Sequence, residues 1–241
     1  MDPRAIAQEI EDELRAVGTP ERAEGEKAYL KSSLEFLGTT VWQIRRVVKA
    51  SVGDLSHDEL VSLVEELWSK PVFERRMSAV FALELHPALV GPGDLPLLER
   101  LIRDSGTWAL VDGLAGDVAA SLFVRHPEAL PSLDAWASDE DFWVRRSALL
   151  ALRGPLRDGA PFDQFARYAD AMLDEKEFFI RKAIGWVLRE VGKQRPDEVF
   201  EWLAPRTART SGVTIREAVK YLPEDQRDAL MSAYKEKRAA A

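Results

Sequence analysis

Cysteine is absent from the 241 residues, and histidine occurs only as His57, His86 and His126. Those absences remove a disulfide framework, a thiolate nucleophile, a Cys-based zinc site and a three-histidine cluster at ligand spacing. No apolar run approaches the roughly 20 residues of a membrane span. The opening MDPRAIAQEIEDELRAV is acidic and helical where a signal peptide is basic and then apolar. A cytoplasmic protein with no membrane partner is expected. Signatures of common enzyme classes are missing too: no Gly-x-Gly-x-x-Gly follows a strand, and neither Gly-x-x-x-x-Gly-Lys-Ser/Thr nor Gly-x-Ser-x-Gly occurs. Positive charge is in deficit. Lys and Arg number 33 against 41 Asp and Glu, a net charge of −8 that opposes a uniformly basic nucleic-acid binder but permits a local basic groove. Half of the acidic excess lies in residues 1–27, which hold eight acids and four bases.

What remains is 46% apolar and 31% charged, the balance of a chain with a real core. Its apolar residues recur at helical spacing, and alternating β-branched runs are missing, so the predicted class is all-α. Gly18-Thr19-Pro20, Gly38, Gly53, Pro71, Gly91-Pro92-Gly93, Gly154-Pro155, Pro161, Pro196, Gly212 and Pro223 divide it into short helices, with no long linker.

An internal repeat runs through these helices. Ile44-Arg45-Arg46, Arg75-Arg76-Met77-Ser78-Ala79, Val144-Arg145-Arg146-Ser147-Ala148, Ile180-Arg181-Lys182-Ala183 and Ile215-Arg216-Glu217-Ala218 echo one another. With Val111-Asp112-Gly113-Leu114-Ala115 in register, the anchors 45, 76, 112, 145, 181 and 216 are spaced by 31, 36, 33, 36 and 35 residues. His86-Pro87, His126-Pro127 and Arg195-Pro196 mark helix ends, which accounts for these histidines without a ligand. Two-helix units of this length cannot bury their apolar faces alone. The expected architecture is therefore a single-domain α-solenoid, residues 1–241, of about six HEAT-like two-helix repeats with a concave face. Residues 1–19 form an acidic leader helix and residues 223–241 a C-terminal capping helix in this reading.

Residues three or four apart share a helix face, which puts Trp42 beside Arg45 and Arg46, Trp143 beside Arg146, and Trp186 beside Lys182 and Arg189. Such a face is either a cation–π brace or a surface that takes phosphates with Arg and cationic groups with Trp. One repeat departs from the rule. It carries Asp112 at the anchor, with Trp108 one turn before and Gly113 and Gly116 after. Each glycine inside a helix costs about 1 kcal/mol relative to Ala unless something must approach closely. Asp112 is either a partner for neighbouring repeat arginines or a group with chemistry of its own. The acid runs Asp139-Glu140-Asp141 and Asp174-Glu175 precede helical blocks and are expected to favour helix N-termini.

The segments Asp104-Ser105-Gly106-Thr107-Trp108-Ala109-Leu110-Val111-Asp112, Phe142-Trp143-Val144-Arg145-Arg146-Ser147-Ala148 and Glu177-Phe178-Phe179-Ile180-Arg181-Lys182-Ala183-Ile184-Gly185-Trp186-Val187-Leu188-Arg189-Glu190 resemble the bacterial DNA alkylation repair family of HEAT-like DNA glycosylases, the AlkD type. Tyr29-Leu30-Lys31 with Phe36-Leu37-Gly38 is similar to the family's amino-terminal motif, and the resemblance runs from about residue 20 to 222. It implies hydrolysis of the N-glycosidic bond of cationic alkylpurines, such as 3-methyladenine and 7-methylguanine, in duplex DNA. No cofactor, metal or deep base-flipping pocket is implied, and the protein is expected to act as a monomer. The same resemblance makes Asp112, Trp108 and Trp186 the catalytic residues and Arg146 the DNA-contacting arginine, joined by Arg189, Lys182 and Tyr29; Arg45 is expected to contact DNA as an anchor of the repeat. The alternatives are a non-catalytic HEAT-repeat protein that binds DNA structures and one that holds a protein partner in its groove.

Overall fold

The computed structural model describes residues 2 to 240, with side chains to residue 236. It is helical throughout, and among the described residues the only β pairing is an isolated parallel bridge between Glu35 and Val72. Two compact units divide the chain, residues 1–122 and residues 123–241.

The first unit holds α1 (Pro3–Val17), α2 (Pro20–Leu30), α3 (Val41–Ser51), α4 (His57–Trp68), α5 (Phe73–Leu85), α6 (Leu95–Arg103) and α7 (Trp108–Gly113), followed by a π-helical stretch, Leu114–Ala119. Helix starts follow local chemistry. Thr40 with Gln43 and Ser56 with Glu59 form reciprocal capping boxes on α3 and α4, satisfying backbone N–H groups that have no intrahelical partner. Helix α1 is the acidic leader, and it is part of the core: Ile6, Ala7, Ile10 and Leu14 are buried at helical spacing. Its Glu11 is buried as well and accepts hydrogen bonds from Arg75 and Lys70, each at 2.7 Å, and from Arg15. Burial works to raise the Glu11 pKa, but hydrogen bonds from Lys70, Arg15 and Arg75 overcome it and hold the carboxyl at about 2.

Helix α5 is buried from Phe73 to Leu83, charged residues included. Its Glu74 carboxylate accepts from the backbone N–H groups of Leu37 (2.9 Å), Gly38 (2.8 Å) and Thr39 (3.3 Å), which fastens Phe36-Leu37-Gly38 to the core. Burial pushes this carboxyl up despite those donors.

Helix α8 (Ala120–Arg125) contains the boundary between the units, and the second unit continues with α9 (Leu133–Ala137), α10 (Phe142–Ala151), α11 (Arg153–Arg157), α12 (Asp163–Met172), α13 (Phe178–Gly192), α14 (Pro196–Leu203), α15 (Gly212–Ala218) and α16 (Glu224–Ala240). Asp141 caps α10 through the Trp143 N–H, and Glu177 caps α13 through the Phe179 N–H. The acid run before α10 thus serves the helix start, as expected.

The anchors fall near the starts of their helices. Arg45, Asp112 and Arg216 are the fifth residues of α3, α7 and α15, and Arg76, Arg145 and Arg181 are the fourth residues of α5, α10 and α13. Two of these arginines have an equivalent job. Arg76 pairs with Asp104 at 3.0 Å and Arg145 with Glu175 at 2.8 Å, in each case an acid just ahead of the next anchor helix. His86 ends α5 with Nδ1 and Nε2 each 3.0 Å from a backbone carbonyl, of Ala82 and Gly53, a structural role that needs no ligand.

Candidate nucleic-acid interface and catalytic residues

Helix α7 separates its residues by helical period. Leu110 and Val111 are fully buried, while Trp108 and Asp112, one turn apart, are partly exposed. The helix lies close against α5: a Cβ at Gly113 would stand 2.8 Å from Val80 Cγ1. That close approach is the reason for a glycine here despite its helical cost. The backbone then widens into the π-helical stretch Leu114–Ala119 directly after Asp112-Gly113, a feature that is uncommon and often found at functional sites. Upstream, Asp104 accepts from Trp68 Nε1 at 2.9 Å and pairs with Arg76, tying down the segment that leads into Trp108.

Tyr29, exposed at the end of α2, meets Trp108 edge to face, with centroids 5.9 Å apart and planes at 83°. The structure therefore brings Tyr29, Trp108 and Asp112 into one neighbourhood. Arg45 is placed differently from expectation. Its guanidinium lies over Phe81 at 4.1 Å and pairs with Glu84 at 2.8 Å, and Arg46 is the residue that covers Trp42, at 5.1 Å. Burial pushes the Glu84 carboxyl up, against the charge of Arg45.

In the second unit, Lys182, Trp186 and Arg189 follow one face of α13. Gly185 admits α15 beside them: a Cβ there would stand 2.8 Å from both the Thr214 carbonyl oxygen and Glu217 Cβ. Glu217 is thereby placed to accept from Lys182 (2.7 Å), Arg189 (2.6 Å) and Lys220 (2.8 Å). Burial would raise its pKa, but hydrogen bonds and charges from Lys182 and Lys220 pull it down to about 2. Three cations on one carboxylate leave this cluster positive in a chain that is acidic overall. The Trp186 ring carries two guanidiniums, Arg153 at 4.2 Å and Arg189 at 6.0 Å from its centroid.

Arg146 and two anchor arginines are more enclosed than their sequence readings imply. Arg146, read as a DNA-contacting arginine beside Trp143, is 2% exposed; its Nη1 donates to the Phe179 carbonyl and its guanidinium faces the Phe179 ring at 5.8 Å. A guanidinium so enclosed braces α10 against α13. Among the anchor arginines, Arg76 is buried and ion-paired, and Arg145 is ion-paired at 19% side-chain exposure. Sequence reading also passed over Arg153, Glu217 and Lys220. Arg153 lies outside the repeat register, so only the packing of α11 on α13 brings it to Trp186. Glu217 carried a signal, since it follows the anchor Arg216 directly.

A family model described as "DNA alkylation repair enzyme" matches residues 10–222. The chain belongs to that family. Among solved structures, a protein from Enterococcus faecalis described as a predicted DNA alkylation repair enzyme aligns with a TM-score of 0.77 at 24% identity, over 86% of this chain and 97% of that one. AlkD2 from Streptococcus mutans aligns with a TM-score of 0.60 at 18% identity, over 83% and 99% of the two chains. The protein smu.31 from Streptococcus mutans UA159 also reaches 0.60 at 18% identity, over 76% and 93%. No curated protein matches this sequence. Among the described residues of this DNA alkylation repair family member, no helix is long and apolar enough to cross a membrane.

Proposed function

We propose that this family member is a DNA glycosylase that hydrolyses the N-glycosidic bond of cationic alkylpurines, such as 3-methyladenine and 7-methylguanine, in duplex DNA of the cytoplasm. The observation that carries the reading is the partial exposure of Trp108 and Asp112, one turn apart on a helix whose Leu110 and Val111 are buried. Family membership and the positive cluster around Trp186 support it.

Alkylation of a purine ring nitrogen makes the base a cationic leaving group. The electron pair of the breaking C1′–N bond neutralises it, so no side chain has to protonate it. Charge develops on the sugar instead, in an oxocarbenium-like state. The Asp112 carboxylate stabilises that charge, orients water toward C1′ and receives the proton as the new C1′–O bond forms. Trp108 offers the negative face of its indole to the cationic base and sugar, and Tyr29 sets its orientation. In the second unit, Trp186 with Lys182 and Arg189 supplies an aromatic and basic surface for the backbone of the strand.

The test is incubation with methylated duplex DNA and chromatography of the released bases. Free 3-methyladenine and 7-methylguanine are expected. Salt-sensitive duplex binding without release would leave a non-catalytic DNA binder, and the absence of both would leave a protein-binding scaffold.

A further inference from the structure

We infer that Arg153 is a DNA-phosphate ligand, held for that task by the Trp186 indole. The inference rests on the duplex-DNA reading above and assigns a residue that no repeat position announces.

Arg153 opens α11, and its guanidinium lies 4.2 Å from the Trp186 ring centroid. It pairs with no carboxylate among the described residues, and its buried Nε has no hydrogen-bond partner there. The cations around it are differently placed. Lys182, Arg189 and Lys220 all share the Glu217 carboxylate, and Arg189 also meets Glu190 at 3.3 Å. Their charge is partly neutralised within the protein, whereas that of Arg153 is not. An arginine normally satisfies its donors with a carboxylate or with backbone carbonyls. One stacked on an indole without either keeps its full charge and a restricted orientation, with donors in a rigid fork that matches two oxygens of a phosphodiester. Arg189 faces the same ring at 6.0 Å, so a second cation reinforces attraction of an anion to this place. A backbone phosphate of the duplex is the ligand that fits this chemistry.

The experiment is the salt dependence of binding to an undamaged duplex, measured for the unsubstituted protein, Arg153→Ala, Arg153→Lys and Arg153→Met, with thermal melts beside each. Loss of one phosphate contact lowers the slope of log K against log salt by about 0.9 and weakens binding about tenfold at 0.1 M salt. Arg153→Ala is expected to show that loss with its melting temperature little changed, and Arg153→Lys to keep the slope. Arg153→Met retains a stem over the indole and takes the place of the alanine variant if that one does not fold. An unchanged slope in a folded Ala or Met variant would overturn the inference, and a lowered melting temperature alone would make Arg153 a brace for Trp186. Base release by a protein whose Arg153→Ala slope is unaltered sinks this inference and leaves the glycosylase reading intact. A lowered slope without any base release does the reverse. An unsubstituted protein that binds no duplex removes both.

Discussion

The Tyr29 ring stands edge-on to the Trp108 indole, 5.9 Å from centroid to centroid. Tyr29 is 72% exposed and α2 buries none of its residues, so this contact adds little to the core but restricts how the indole turns. Aromatic pairs of this geometry are worth about 0.5–1.5 kcal/mol. Tyr29→Ala is expected to slow excision about 3- to 10-fold, by the rate equivalent of such an energy, and to leave the melting temperature nearly unaltered. Single-turnover rates beside thermal melts provide the check; a large loss of stability would make Tyr29 a packing residue.

Asp112→Asn keeps volume and deletes the charge proposed to stabilise the oxocarbenium-like state. One positioned acid–base group contributes about 10²–10⁴-fold, so release of 7-methylguanine should fall by that order while duplex binding persists. A more labile lesion should suffer less. A stable and fully active Asn variant would take Asp112 out of the mechanism.

Gly113→Ala probes the close approach of α7 to α5. On helix propensity alone the change would stabilise by about 1 kcal/mol. With Val80 Cγ1 2.8 Å from the new methyl, crowding is expected to win and destabilise by about 1–3 kcal/mol. Urea denaturation reads the sign directly.

Arg146→Ala removes a buried donor from the Phe179 carbonyl. The expected cost is about 1–3 kcal/mol of stability, with the salt slope of duplex binding unchanged in the folded variant. A slope lowered by about 0.9 would instead restore Arg146 as a phosphate ligand.

Acid should weaken the fold through two carboxylates. Glu11 and Glu217 are each held at about 2, against about 4.3 for an unfolded glutamate. A depressed carboxyl stabilises the folded state above its unfolded value, and that contribution fades as the pH falls toward 2. Melting temperature is expected to hold from pH 7 to about 5 and decline below. Glu74, raised by burial, opposes part of the decline because its protonation favours the folded state. Glu217→Gln should flatten the curve below pH 5; a curve identical to that of the unsubstituted protein would show that the Lys182, Arg189 and Lys220 cluster adds nothing to stability.

Local chemistry settled much of this protein before any packing was known. Helical spacing of apolar residues, Pro and Gly punctuation and side-chain caps act within a few residues of the chain, so the all-helical class and the one-turn spacing of Trp108 and Asp112 on one helix were legible. Gly113 was legible as a close approach, though not its object, Val80. Most of the partners a cation meets are decided across about 30 residues of sequence, by the way one helix lies on the next. Helical spacing put Arg146 beside Trp143, but packing of α10 on α13 enclosed it against Phe179. The same kind of packing brought Arg153 onto Trp186 and carried Lys182 and Arg189 to Glu217, which Lys220 reaches from three residues along the chain. A long, flexible arginine reaches several partners from one backbone position, and only the tertiary structure selects among them, by burial and by the carboxylate or carbonyl within reach.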